Sequence, residues 1–266
     1  MASSRALNGA HAVVTGAASG IGRATAIELA RRGARLTVVD VDARGLGETA
    51  SRIGASAHVV DLADSGAIER FARDVGAVDL LVSNAGIAVV APFERTRDDD
   101  WERLLAVNLR ASITLTRALL PSIRARRGAL VYVASLAGLL AAPGMVAYST
   151  TKFALVGLAE SLRLELADTG VDVTTVCPGY VRTNLHAATR YDNDGFRRFL
   201  DAPPRFYGLT ADRAAADIAD AIAARRALVV LGPERFGFWL KRAAPETAMR
   251  VTRWIAKRTG VASALA

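Results

Sequence analysis

The sequence predicts a doubly wound α/β fold of the Rossmann type: a parallel sheet of seven strands with helices on both faces, followed by a basic helical tail. Three observations predict it. Short, continuously apolar runs recur along the chain, as expected of strands buried on both faces of a parallel sheet. They alternate with segments of helical character. The runs also end in small or polar residues (Gly16, Asp40, Asp61, Asn84), at the strand ends where such sheets gather their ligands.

Taken in order, HAVVTGAASGIG (11–22) opens with an apolar strand, breaks into a glycine-rich turn and resumes as a helix. Ser19 stands where an N-cap is expected and Gly33 where the helix should stop. Gly16, Gly20 and Gly22 are spaced GxxxGxG, a relative of the dinucleotide fingerprint GxGxxG. Glycines there let backbone N–H groups close around an anion at the helix N-terminus. The second strand, within 34–46, ends at Asp40, about twenty residues on. An acid at that place accepts ribose hydroxyls and repels a 2′-phosphate, which favours NAD; Arg44 nearby is the feature that would suit NADP.

A third strand within 55–64 ends at Asp61, a helix is expected over 65–75, and a fourth strand within 78–86 ends in Asn84, Ala85 and Gly86. His11 and His58 lie in apolar strand contexts and read as structural. A long helix over 99–120 carries Asn108 between Val107 and Leu109. An amide there needs partners or suffers desolvation: it is a satisfied core amide, or it organises water or a carbonyl near a site. The fifth strand, 128–135, ends at Ser135; the sixth is 170–179, where Pro178 and Gly179 turn the chain. The stretch of about thirty residues that follows lacks strong periodicity, and a loop of that size is usually functional. Residues 180–209 are therefore the candidate substrate loop, with His186 a lesser candidate for substrate contact. A helix over 210–225 and a seventh strand over 227–232 close one domain of 1–232.

Tyr148 and Lys152 stand four apart in AYSTTKFALVGLAESL (147–162). On a helix they share one face, one turn apart. An ammonium beside a phenol favours the phenolate and lowers a pKa that is ordinarily about 10, which makes the tyrosine usable as a general acid or base. Ser135, thirteen residues upstream, could hydrogen-bond the same substrate oxygen. Leu136, Leu139, Leu140, Ala141 and Met145 offer an apolar pocket suited to a hydrophobic secondary alcohol or ketone rather than a small polyol or sugar phosphate.

The 266 residues carry one cysteine, Cys177, so no internal disulfide can form; it reads as a buried small residue in a reducing compartment. The N-terminal stretch lacks the apolar core of a secretory signal. Residues 128–151 carry no formal charge, but their glycines, proline and hydroxyls read as strand, loop and helix start rather than a membrane span. The net charge of +8 is uneven: from Arg225 onward there are nine Lys or Arg and two Glu. The extension 233–266 places Val251, Trp254 and Ile255 at i, i+3 and i+4 among basic residues. Such a helix can lie on an anionic membrane or pack on a neighbouring subunit; no nucleic-acid-reading motif is present.

Taken together and in order, TGAASGIG (15–22), Asp61, NAG (84–86), Asn108, Ser135, YSTTK (148–152) and PGYVRT (178–183) resemble the short-chain dehydrogenase/reductase family, over roughly residues 8–232. The resemblance implies a catalytic tetrad of Asn108, Ser135, Tyr148 and Lys152. In it Tyr148 exchanges a proton with the substrate oxygen, Ser135 steadies that oxygen, Lys152 lowers the tyrosine's pKa and binds the nicotinamide ribose, and Asn108 holds a relay water. It further implies cofactor contacts from Gly16, Ser19, Gly20, Ile21, Gly22, Asp40, Asp61, Leu62, Asn84, Ala85, Gly86, Pro178, Gly179, Val181 and Thr183. No metal is implied. A cytoplasmic homotetramer or homodimer is expected, with peripheral membrane contact through the tail as the further option. Three rivals stand beside this reading: an NADPH-dependent ketone or 3-oxoacyl reductase, a non-catalytic nucleotide-binding module, and a membrane-surface protein for which the tail is primary.

Overall fold

A computed structural model describes residues 5–183, 185, 189–192, 208–233 and 235–258. The chain begins with β1 (His11–Thr15), α1 (Gly20–Arg31), β2 (Arg35–Asp40), α2 (Ala43–Ile53), β3 (Ser56–Val59), α3 (Ser65–Asp74), β4 (Leu80–Ser83) and β5 (Val89–Val90). It continues with α4 (Asp98–Leu105), α5 (Ala111–Ala125), β6 (Ala129–Val133), α6 (Val146–Glu165), β7 (Asp172–Pro178), β8 (Val181–Arg182), β9 (Arg190–Tyr191) and β10 (Leu209–Thr210). The last described elements are α7 (Ala211–Ala223), β11 (Leu228–Leu231), α8 (Arg235–Ala243) and α9 (Pro245–Arg258).

Seven strands form one sheet in the order β11-β7-β6-β4-β1-β2-β3. Every pair within it is parallel, with Val13 opposite Thr37 on one side and Leu81 on the other. Strand order reverses between β1 and β4, so a crevice opens at their carboxyl ends.

The two faces follow from strand alternation. In β1, Ala12 and Val14 enter one core with Leu29, Leu46, Ile218 and Ile222, whereas Val13 enters the other with Leu81, Leu115, Ile123 and Leu155. Helices α1 and α7 thus cover one face, and α5 and α6 the other. Burying each Val, Leu or Ile among them contributes about 1.5–3 kcal/mol. His11 is structural, as expected: its ring bridges the Ala77 carbonyl at 2.6 Å and Thr37 Oγ1 at 2.8 Å.

Four local features differ from the sequence reading. Ser19 precedes α1, but its hydroxyl makes no cap, because its extended backbone leaves the turn to the glycines. Helix α2, to which the sequence reading gives no bounds, is capped by Asp42 accepting from the Arg44 and Gly45 N–H groups and packs through Leu46, Ala50 and Ile53. The long helix expected over 99–120 is α4 and α5 joined by a π-turn at Ala106–Arg110. The basic tail is two helices, and the first is docked: Phe238 is buried in the core cluster of the α5/α6 face. The uncharged stretch 128–151 resolves, as expected, into β6, a short 3-10 turn, a loop and the start of α6.

Candidate active site

The glycine turn is built at the crevice. Gly16 has φ +68° and Gly20 φ +54°, a backbone region that side chains rarely adopt. A Cβ on Gly16 would lie 2.7 Å from Asn84 Nδ2 and 2.8 Å from Ala85 Cα. One on Gly22 would overlap the Gly16 carbonyl and the same amide, so α1 can start this close to β4 only without a side chain there. The Gly20 position abuts Thr183, at 3.1 Å from its Cβ.

Thr15 and Asn84 tie the ends of β1 and β4 together. Thr15 Oγ1 accepts from the Asn84 and Ala85 N–H groups, both at 3.0 Å, and Asn84 Nδ2 donates to the Thr15 carbonyl at 2.9 Å. The Asn84 amide therefore shapes the crevice by holding the ends of β1 and β4 together. Asp40 is half-buried at the end of β2. It accepts from the Ala18 N–H at 2.9 Å and the Asp42 N–H at 3.1 Å, fixing the turn to the second strand. Asp61 is exposed and closes an Asx turn onto Ala63 N–H, while Leu62 is buried in the core. Beside Gly20 lies a cleft of about 560 Å³, lined by Ser19, Arg23, Arg44, Arg52, Arg182 and Thr183 among others. Arg23 and Arg44 both reach Glu48, at 3.3 and 3.4 Å.

Helix α6 brings Tyr148 and Lys152 under the end of β6. Both are buried, Tyr148 at 6% and Lys152 at 3% exposure. Lys152 Nζ lies 5.7 Å from the centre of the Tyr148 ring and donates to the Val133 carbonyl at 3.1 Å. Burial pushes the Tyr148 phenol above its ordinary value, and only its hydrogen bond with the Ser135 side chain pulls it down. Lys152 is pushed down to about 8, again by burial. This corrects one expectation: in the free protein desolvation, not the lysine, dominates the tyrosine. Cys177, also buried, is pushed up to about 12 by desolvation, as suits an inert thiol.

Asn108 sits in the π-turn, fully buried. Its amide donates to the Ile87 carbonyl and to Thr151 Oγ1, both at 3.0 Å, and its oxygen accepts from the Ile87 N–H at 2.9 Å. Both amide hydrogens and the oxygen thus have protein partners. A relay water would have to meet the main chain of this turn; π-turns free backbone groups and recur at functional sites. A Cβ on Gly86 would stand 3.3 Å from both Asn108 Oδ1 and Lys152 Nζ, which places this glycine between them.

The apolar surroundings differ in detail from expectation. Met145, Ile87 and Trp101 each pack against the small cluster that holds Tyr148, Val89 and Leu104, but Leu136 and Leu139 belong to the main core, and Leu140 meets Gly237 of α8. Pro178 ends β7, Gly179 N–H is bonded to the Leu231 carbonyl, and Val181 is buried. The candidate substrate loop, where described, is stapled at its base. β9 pairs with β5, and Arg190 forms a forked pair with the buried Asp100 at 2.9 and 2.5 Å. His186 lies outside the described residues. Among the described residues, no group of three or more His, Cys, Asp or Glu could hold a metal ion.

Sequence reasoning missed Thr15, Thr151, Gly138, Asp100 and Arg190. A Cβ on Gly138 would stand 2.6 Å from the Lys152 carbonyl, so it lets the Ser135 loop press on α6. Thr15 and Thr151 sit inside the motifs already quoted, which was the available signal; the Asp100–Arg190 pair had none.

A doubly wound parallel sheet with a glycine-rich turn at its switch point defines a dinucleotide-binding type of fold, and Tyr148 and Lys152 lie on the helix after β6. The family model described as short chain dehydrogenase matches residues 10–194, and the chain belongs to that family. It is 34% identical over 259 residues to Probable oxidoreductase EphD of Mycobacterium tuberculosis, covering 90% of this chain but 44% of that protein. The chain therefore spans less than half the length of that relative. It is 38% identical over 189 residues to D-threitol dehydrogenase of Mycolicibacterium smegmatis, covering 67% of this chain and 73% of that one. Its fold is similar to that of a short chain dehydrogenase/reductase from Burkholderia phymatum solved in complex with NAD, with a TM-score of 0.83 and 28% identity over 91% of this chain and 96% of that one.

Proposed function

We propose that this chain is an NAD-dependent oxidoreductase acting on a hydrophobic secondary alcohol or the corresponding ketone. The observation that carries the reading is the buried Tyr148, with Ser135 at its hydroxyl and Lys152 beside its ring. A cofactor fits the residues present: the Gly16–Gly22 turn is a cradle that a Cβ would fill, and it opens at the start of α1. Backbone N–H groups there suit a pyrophosphate, Asp40 the adenosine ribose, and Lys152 the nicotinamide ribose. When bound, the dinucleotide supplies the hydride acceptor or donor.

The chain's own residues handle the proton and the position. Tyr148 Oη takes the hydroxyl proton of an alcohol, or returns it to a ketone oxygen. Ser135 Oγ orients that oxygen. Lys152 brings a positive charge next to a group that must become a phenolate. Asn108 fixes the strand-following segment at Ile87 to α6 through Thr151, which holds the floor beneath Lys152. General acid–base help of this kind is typically worth about 10²–10⁴-fold. The apolar cluster that holds Tyr148, with Met145, Ile87 and Trp101 packed against it, supports a hydrophobic carbinol. The D-threitol dehydrogenase likeness points to a small polyol instead, so a polyol belongs in the substrate panel.

A second cofactor reading has its own support: Arg23, Arg44, Arg52 and Arg182 around the cleft beside Gly20 suit a 2′-phosphate. We favour NAD because the Asp40 carboxylate, at the end of β2, is held against that turn by the Ala18 N–H, where it would repel a 2′-phosphate. Nicotinamide absorbance with secondary alcohols, titrated with NAD and with NADP, tests both. Turnover with NAD at lower KM is expected; preference for NADP overturns the cofactor choice, and tight NAD binding without turnover on any alcohol or ketone overturns the enzyme reading. We further infer assembly of two or four copies through α4–α5 and α6, whose surface keeps Phe153 and Leu164 exposed. Among the described residues, no helix is long and apolar enough to cross a membrane.

A further inference from the structure

Helix α8 docks through one large side chain, Phe238, whereas α9 is amphipathic in an unusual sense: it turns small residues toward the protein and large ones outward. Along α9 the buried positions are Ala248 and Ala256, with Thr252 half-buried between them. Met249 (71%), Trp254 (56%) and Val251 (40%) are exposed, and so are Phe236 (71%) and Trp239 (60%) of α8. Packing alone would have placed these side chains inside. Charge accompanies them: residues 235–258 hold seven Lys or Arg and one Glu. Arg250, Arg253 and Lys257 form a stripe at i, i+3 and i+7, next to the side that bears Val251 and Trp254.

We propose that α8 and α9 form a docking surface for an anionic lipid bilayer. The aromatics enter the headgroup boundary and the basic stripe meets lipid phosphates. Charge decides between this occupant and a second copy. A two-fold interface would set the same cationic surface against itself, whereas an anionic bilayer complements it. The place of α8 gives the contact a use. Lys241 Nζ donates to the Leu139 carbonyl at 2.7 Å and lies 4.8 Å from the centre of the Phe153 ring. Gly237 abuts Leu140. The surface is therefore anchored to the loop that carries Ser135, beside the proposed site. The lipid contact itself does not depend on the redox reading.

Flotation of the full chain with vesicles tests this directly. The chain should float with phosphatidylcholine vesicles containing phosphatidylglycerol, should not float with phosphatidylcholine alone, and should be released by high salt. R250E and R253E should each weaken partitioning by about fivefold or more. W239S with W254S should abolish flotation while the variant keeps the parent's circular dichroism and cooperative melting, which shows that it is folded. Failure to float with the anionic vesicles overturns the proposal, as does equal binding to the zwitterionic ones or binding that survives loss of both tryptophans. Self-association in solution that is lost in W239S/W254S would reassign the surface to a second copy.

Discussion

Lys152 and Tyr148 stand one turn apart on α6, yet the ammonium is bonded to the Val133 carbonyl at 3.1 Å rather than to the phenol. Its nitrogen sits 5.7 Å from the ring centre. The arrangement holds a positive charge at a fixed distance from a group that must lose and regain a proton, in a place where burial opposes both charges. That conflict is typical of a site where function is bought with stability.

Replacing Lys152 should expose this conflict. Burial lowers the folded-state value from 10.5 to about 8. The unfolded chain therefore binds more protons between those values, and stability rises with pH through that window. Lys152→Met should abolish turnover while raising Tm, by about 2–4 °C for each kcal/mol relieved. The gain over the parent should be fully present below pH 8 and shrink toward pH 10.5. Calorimetry across that range checks it.

Gly22→Ala should act on the turn. Its Cβ would meet the Gly16 carbonyl and Asn84 Nδ2, so α1 must shift. A cost of about 1–3 kcal/mol in stability is expected, together with a marked loss of dinucleotide affinity, measured by fluorescence titration.

Asp40→Ala should relax cofactor choice. Removing the carboxylate removes a like-charge clash with a 2′-phosphate, worth a few kcal/mol. The NADP-to-NAD ratio of kcat/KM should rise at least about tenfold. The lost bonds to Ala18 and Asp42 N–H should also lower NAD affinity.

Asp100→Asn should loosen the base of the substrate loop. Burial alone would raise this carboxyl, but hydrogen bonds from Arg97 and Arg190 outweigh it and hold it below its ordinary 3.8. Its contribution is present above about pH 4 and lost as pH falls below that. With Arg190 partly exposed, the expected cost is about 1–3 kcal/mol. KM should rise more than kcat falls, because the pair secures the loop rather than the proton path.

Much of this was legible in the sequence because it is local. The turn from Gly16 to Gly22, Asp40 at the end of its strand and the four-residue spacing of Tyr148 and Lys152 are each fixed by neighbours in the chain. What was not legible joins distant segments. Thr15 clasps Asn84 across 69 positions, and Arg190 reaches Asp100 across 90. No periodicity encodes either. The balance of charge at Tyr148 was misread for the same reason: helical spacing places the lysine, but only the packed core decides how far desolvation outweighs it.

The central claim is that Tyr148 carries the proton, and Tyr148→Phe tests it most directly, because the ring's packing is kept and only the hydroxyl is lost. Nicotinamide turnover with the best alcohol of the panel, read beside NADH binding by the same variant, should show kcat down by about 10²–10⁴-fold with cofactor affinity within a factor of about two. Turnover equal to that of the parent protein would contradict the account.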